Sequence, residues 1–157
     1  SVSEKISPII GIDTKLQNNI TTKFEIRNNR TISLSLVNTE ISETGGNEYV
    51  MGIGYIIKDF TVNIKTEGAT KSYTNDINLR LDYSIRDNDV IRRTISDDKK
   101  HVISGQTIYS LKLSADYQMT QQFNVRLFAD YTFNKPRTNG YNTKNISFGV
   151  TMRYTLI

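Results

Sequence analysis

The first residues to consider for chemistry are a lone histidine and its acidic neighbours. His101 follows Asp97 and Asp98 in a polar stretch that we expect to be a loop. A histidine beside carboxylates could activate water as a general base, provided that further groups within hydrogen-bond reach supported it. Those groups would have to come from other loops, where Glu43 and Glu67 are the candidates. A solvated charged loop accounts for the same residues, so we predict no catalytic residue.

Metal, cofactor and nucleic-acid chemistry find little support in the composition. The chain has one histidine and no cysteine, so it offers neither a thiolate zinc site nor a disulfide framework. Its formal charge of +4 comes from basic residues interspersed with acidic ones. A nucleic-acid surface needs such residues clustered on one face, and Arg92-Arg93 and Lys99-Lys100 are the nearest approach. We therefore predict no cofactor, no metal and no nucleic-acid partner.

Many of the charged residues fall at every second position of long alternating stretches. Period-two alternation places successive side chains on opposite faces of a β-strand. The clearest example is the stretch 104–136, where two alternating runs flank the polar turn Thr120-Gln121-Gln122 and predict a hairpin. The polar set predicts a wall that faces a water-filled lumen: Lys23, Glu25, Arg27, Arg80, Asp82, Arg86, Lys112, Asp116, Arg126, Asp130 and Arg153. A plain sheet with one face in solvent predicts the same residues.

The alternation predicts an all-β chain of about ten antiparallel strands and no helix. The strands are predicted at about 9–17, 20–27, 32–36, 48–57, 60–64, 77–86, 90–95, 109–117, 123–133 and 146–156. Asn and Asp favour turns, which predicts tight connections at 18–19, 28–29, 58–59 and 87–89. The polar residues of 119–122 predict another tight turn, and longer connections are predicted at 41–47, 66–75, 96–103 and 134–144. Short turns opposite long loops are typical of outer-membrane barrels, where the short turns are periplasmic. By this parity the C-terminus is periplasmic and the 18–19 turn external.

Aromatic residues lie near the ends of the predicted strands. Tyr109 and Tyr117 are eight residues apart, which is about 26 Å along a strand and roughly 20 Å across a membrane at a tilt near 40°. That spacing is close to the height of the apolar band between the two aromatic girdles of a barrel. The predicted membrane-interface aromatics are Tyr49, Tyr109, Tyr131, Phe133 and Phe148 at external ends, and Tyr55, Tyr83, Tyr117, Phe123 and Tyr154 at periplasmic ends.

Mean hydropathy does not contradict this interpretation. The value is −0.44 and 37% of the residues are hydrophobic, with no apolar run long enough for a transmembrane helix. A transmembrane β-barrel needs no such apolar run, because half of the residues in every strand face water.

Five segments carry a further signal through their order and spacing. They are 47–55, 76–88, Gly105-Gln106, Asn134-Lys135-Pro136 and 148–154. Together they resemble the C-terminal end of the SprA/Sov family, the outer-membrane translocon of the type IX secretion system of Bacteroidota. The resemblance extends over most of the chain.

The resemblance implies that residues 1–157 are the C-terminal transmembrane segment of a much larger protein. That protein would form a very large barrel of about thirty-six strands, the upper end of known barrel sizes. It would export folded proteins across the outer membrane of a Gram-negative bacterium and support gliding motility in gliding species. The implied partners are outer-membrane lipid, the rest of the barrel, a small β-barrel protein that collects cargo, a periplasmic plug protein and secreted cargo.

Two other interpretations stay open. One is a small, self-closed, ten-stranded outer-membrane barrel acting as an adhesin, pore or rim protease, and the other is a soluble all-β binding module. The predicted strands 60–64 and 90–95 are poor candidates for crossing an apolar band of about 25 Å. We therefore predict an open sheet whose first and last strands pair with chain outside these residues, because an unpaired edge cannot persist in hydrocarbon.

Overall fold

The computed structural model describes residues 2–35, 40–66, 69–94, 100–138 and 140–156, with the side chains of residues 2–8, 66 and 69 left aside. This part of the chain is all-β, as predicted, and forms one sheet. It contains no helix able to cross a membrane. The strands are β1 (Val2–Lys15), β2 (Ile20–Ser35), β3 (Glu40–Thr66), β4 (Ala69–Thr94), β5 (Lys100–Gln118), β6 (Phe123–Pro136) and β7 (Thr143–Tyr154).

Each strand pairs in antiparallel fashion with the next one along the chain. The edge strands β1 and β7 do not pair with each other, so the sheet is open, as predicted. The strands β1, β3, β5 and β7 finish at the same end of the sheet, which we call the turn end. We call the opposite end the loop end. The tight turns at 16–19 and 119–122 and the end of β7 all lie at the turn end. The prediction that the 18–19 turn lies opposite 119–122 is therefore wrong.

The structure has seven strands in place of the ten predicted, because three predicted turns lie inside strands. Asn28-Asn29 belongs to β2, Lys58-Asp59 to β3, and 87–89 to β4. The stretches 41–47 and 69–75, predicted as loop, are also strand. The sheet is therefore made of fewer and longer strands, and β3 and β4 have 27 and 26 residues.

Cross-strand partners explain two of these errors. Asn28 pairs with Asn47, which pairs with Asp87 on its other side. The Asn28 amide donates to Asn47 Oδ1 at 2.6 Å, and the Thr107 hydroxyl donates to Asp87 at 2.7 Å. The polar side chains that would cap a local turn bind across strands instead, so the backbone stays extended.

The third wrongly predicted turn, Lys58-Asp59, is a bulge within β3. Asp59 has a φ of 55°, and the pairing of β3 with β4 shifts between Ile57 and Phe60. The Asp59 amide donates to the Asp76 carboxylate at 3.2 Å. A left-handed residue next to an extra residue bends a strand without ending it, so the β3–β4 hairpin continues past this point to Thr66.

The sheet is a single layer. Val50, 8% exposed, is the only buried hydrophobic residue in the described ranges. Large apolar side chains on one face stay open, with Met51 58% and Leu113 50% exposed. A globular domain would bury such residues against a second layer of structure. The described chain supplies no such layer.

Candidate functional site

The register sorts the side chains onto two faces of opposite character, because directly paired residues share a face. We call them the polar face and the apolar face. One row of the polar face is Lys23, Gly52, Asp82, Lys112, Asp130 and Ser147. One row of the apolar face is Ile12, Phe24, Met51, Tyr83, Leu111, Tyr131 and Ile146.

The apolar face forms a band across the sheet, which at the turn end continues on β3 through Phe60, Val62 and Ile64. It runs from Tyr109 to Tyr117 on β5 and from Tyr49 to Ile57 on β3, and these residues are level with one another. Eight residues span about 26 Å along a strand, or roughly 20 Å along the membrane normal at a tilt near 40°. At the loop end the band stops at a polar row, Asn28, Asn47, Asp87, Thr107 and Lys135. The band thus has nearly the height of a barrel's apolar girdle.

Most of the predicted interface aromatics lie at the borders of the band. Tyr49, Tyr109 and Phe133 share the row at the loop end, where the Tyr109 and Phe133 rings stack with centroids 6.0 Å apart. Tyr131 lies one row further in. At the turn end lie four more members of the set, Tyr55, Tyr117, Phe123 and Tyr154.

Tyr117 ties the turn-end border to the β3–β4 hairpin. Its hydroxyl donates to the Tyr73 carbonyl at 2.8 Å, and its ring meets the Phe60 ring edge-on at 5.9 Å. The border residue is thereby fixed in place by two strands beyond its own hairpin.

Two aromatics lie elsewhere than predicted. Tyr83 is level with Leu111 and Tyr131, close to the loop end rather than the turn end, because β4 continues to Thr94 instead of ending after residue 86. Phe148 pairs with Ala129 in the middle of the band, because β7 begins at Thr143. Both errors follow from misplaced strand ends, whereas the face of each residue agrees with the alternation.

The charged residues predicted for the lumen-facing wall all share the polar face, and many are ion-paired. Glu48 accepts hydrogen bonds from Arg27 at 3.3 Å and Arg86 at 2.8 Å, and Glu25 binds Lys23 and Arg27. Separate pairs join Arg80 to Asp82 at 2.7 Å and Arg126 to Asp116 at 2.6 Å, while Lys112 lies opposite Asp130 and Arg153 opposite Asn124. The face is therefore hydrophilic and balanced in sign.

Phe128 interrupts the polar face for a packing reason. Its ring lies over Gly149 on β7, where an added Cβ would be 2.7 Å from the ring carbon Cζ. An aromatic ring that covers a glycine of the neighbouring strand is a known way to stabilise a sheet. The alternation shows that Phe128 is out of place, but only the register shows its partner.

The candidate hydrolytic group is not assembled in the described structure. His101 lies in β5 opposite Arg92, and not in a loop as predicted. Glu43 accepts a hydrogen bond from Arg30 at 2.7 Å. Asp97, Asp98 and Glu67 lie outside the described residues. Within those residues, no three His, Asp or Glu side chains are grouped to hold a metal ion.

Sequence reasoning missed a charged surface on the apolar face beyond the band at the loop end. Arg137 reaches across β5 to bind Asp87 at 2.9 Å and Asp89 at 3.0 Å. The hydrogen bond from Arg30 to Glu43 lowers the pKa of that carboxyl group. The signal was present as acidic and amide residues in stretches that were predicted as turns or loops.

A comparison with protein-family models found no match, and a comparison with curated proteins found no similar protein. The role of the sheet is therefore inferred from its two faces and its open edges.

Proposed function

We propose that this chain is a wall segment of a very large outer-membrane β-barrel that exports folded proteins. The observation that carries the proposal is the uncovered apolar band of membrane height on one face of a sheet whose other face is charged and ion-paired. Exposed apolar patches of this size are unfavourable in water and mark contact with a partner or a membrane. Lipid would cover all rows of the band at once, from Tyr49 to Ile57 on β3 and from Tyr109 to Tyr117 on β5.

The open edges support a segment of a larger wall over a self-closed small barrel. The sheet has seven antiparallel strands, so β1 and β7 run in the same direction. Bacterial outer-membrane barrels have an even number of antiparallel strands, and a ring of this kind needs an odd number of further strands. Unpaired backbone groups along the 12 residues of β7 would be costly in hydrocarbon. Strands from further chain would satisfy them.

The polar face would line the lumen of this pore. Four of its acidic groups, those of Glu25, Glu48, Asp82 and Asp116, are bound to neighbouring basic groups, so the described part of this face presents no long stripe of one charge that would retain passing proteins. The turn end carries the tight connections and would face the periplasm, together with the end of β7.

The resemblance of the five segments to the SprA/Sov family supports the more specific part of the proposal. On that basis the pore is the translocon of a type IX secretion system, with a role in gliding motility in gliding species. Its partners are then the rest of the barrel, a small cargo-collecting barrel protein, a periplasmic plug protein and the secreted proteins.

Cysteine labelling along β5 tests the assignment of the two faces. The 157 residues contain no cysteine, so single substitutions can be read in a background freed of any other cysteine. In membranes with the full-length protein, Lys112→Cys and Ser114→Cys are expected to react with a membrane-impermeant maleimide. Leu111→Cys and Leu113→Cys are expected to react only after detergent removes the lipid. Equal labelling of both pairs before detergent would contradict a lipid-covered face.

A further inference from the structure

Charge is distributed unevenly along the apolar face. Beyond the band at the loop end this face carries Arg30, Arg93, Lys100, Lys135 and Arg137, with Lys144 in the border row itself. Acidic groups on the same surface are bound to arginine: Glu43 to Arg30, and Asp87 and Asp89 to Arg137. At the turn end, the same face of β3 and β4 continues with Phe60, Val62, Ile64 and Tyr73, followed by Lys71. The loop end is therefore the basic end.

Two lysines stand at the level where the apolar band stops. Lys144 pairs with Phe133, and its ammonium nitrogen lies 5.9 Å from the centre of that ring. Lys135 is the next residue outward on the same face of β6, opposite Thr107. Both are exposed, and neither forms an ion pair with another described residue. We call them the lysine pair.

The position of the lysine pair suits a charged lipid headgroup. A lysine stem lies readily along apolar surface while its ammonium group reaches the polar layer. Phosphate groups at that level would accept charge-assisted hydrogen bonds from both ammonium groups. Arg137 balances one of the two nearby carboxylates, those of Asp87 and Asp89, so together with the lysine pair this cluster keeps a net positive charge.

Beyond the band, charged side chains recur on the apolar face for several rows, interspersed with apolar ones such as Ile32, Leu34, Ile91 and Val102. The outermost of these charged residues on β4 is Arg93, six residues or about 20 Å along the strand from Asp87, whereas a phospholipid headgroup layer is roughly 5–7 Å deep. Amide and hydroxyl groups on this surface, such as those of Asn28, Asn47 and Thr107, can bind sugar hydroxyls as well as one another. A headgroup built of sugars fits this depth better than a phospholipid headgroup.

We propose that the lysine pair binds the phosphates of a lipid whose headgroup is a phosphorylated sugar, in the leaflet that surrounds the loop end. This inference rests on the proposed membrane location of the apolar face and adds the chemistry of its outer border. It also fixes the orientation of the sheet, with the loop end in the outer leaflet.

Lipid binding by the full-length protein in detergent tests the inference. The probe is lipid A with two phosphates, titrated and counted as bound lipid by native mass spectrometry. The double variant Lys135→Gln/Lys144→Gln is expected to bind it roughly 25-fold more weakly, since each lysine near an anionic surface contributes a factor of about five. The Lys135→Arg/Lys144→Arg variant should retain binding. Lys71→Gln, the same change on the same face at the turn end, should leave it unchanged.

Removal of the phosphates from lipid A gives a second test of the same contacts. Dephosphorylated lipid A should bind the unsubstituted protein no better than phosphorylated lipid A binds the glutamine variant. Equal binding of phosphorylated lipid by the glutamine variant and the unsubstituted protein would overturn the inference. Alkaline extraction of membranes distinguishes a failure of the proposed membrane location from a failure of the lysine pair. Release of the protein would overturn the membrane location, whereas retention with unchanged lipid binding would overturn the lysine pair alone.

Discussion

The two faces of the sheet are built from alternate residues of the same strands, yet they are completed in different ways. On the polar face the side chains bind one another, as Arg27 and Arg86 do around Glu48. On the apolar face Met51 and Leu113 are at least half exposed, with no second layer over them. The difference shows that the chain itself completes one face and leaves the other to its surroundings. Changes of charge and packing at single residues, and a change of pH, test this difference between the faces.

The largest effect should come from charge placed inside the band. On the proposed lipid-covered face, Leu113→Arg is expected to destabilise the protein by about 2–4 kcal/mol, the cost of arginine near the membrane midplane. Ser114→Arg, one residue along on the polar face, should cost little because it meets water. Leu127→Arg and Asn124→Arg repeat the comparison on β6. The measurement is the amount of folded protein in the membrane and its resistance to denaturant.

Similar losses for Leu113→Arg and Ser114→Arg would mean that both faces meet the same solvent. A sheet with both faces in water would then replace the lipid-covered wall.

The alternation was sufficient to predict the faces but not the strand ends. A residue's face depends only on its position in the period of two, so Arg80, Asp82 and Tyr83 were placed on the correct sides. Where a strand ends depends on its partners. Asn28 and Asp87 have the local chemistry of turns, and their strand state is decided by pairing with Asn47 on β3.

Prediction of the candidate site from the sequence was limited for the same reason, since contacts between distant strands are not visible in the alternation. The charged set of the polar face was predictable, since each member follows from alternation alone. The reach of Arg137 over Gly105 to Asp89 was not, because 48 residues separate the two side chains that meet. The same holds for Phe128 and Gly149, which are neighbours only through the register of β6 and β7.

A smaller effect is expected on the polar face where the Phe128 ring packs on Gly149. Gly149→Ala puts a Cβ 2.7 Å from the Phe128 ring, so it should destabilise the protein by about 1–3 kcal/mol through overpacking. In a Phe128→Ala background the same change should cost much less. The difference between the two costs, measured by denaturant unfolding, is the coupling of the pair.

Gly45→Ala is the matched control for this cycle. The nearest atom to its added Cβ would be the Asn29 carbonyl oxygen at 3.9 Å, an ordinary contact. Its cost should be small and independent of Phe128. An equal cost of Gly149→Ala in both backgrounds would show that the ring does not pack on the glycine.

The smallest effect concerns pH at Glu43, where the apolar face has already become wet and charged. The hydrogen bond from Arg30 lowers the pKa of the Glu43 carboxyl group below its ordinary value of 4.5. The ionised form is therefore favoured in the folded sheet, and its stabilising contribution is complete above pH 4.5. The contribution is lost as the pH falls through the lowered pKa. Because the Arg30 side chain is 45% exposed, we expect a change of less than about fivefold in local protection.

Hydrogen exchange of the amides of residues 30–35 and 40–44, corrected for intrinsic rates, measures this step. The Glu43→Gln variant should lose the step, because its side chain cannot ionise, and its protection at neutral pH should already be reduced. A step of the same size in the variant would assign it to another carboxyl group. Loss of the pH step in the Glu43→Gln variant would show that the ion pair of Glu43 is exposed to water. Glu43 lies on the same face as Tyr49, which is six residues further along β3. The change from lipid to water on that face would then fall between those two residues.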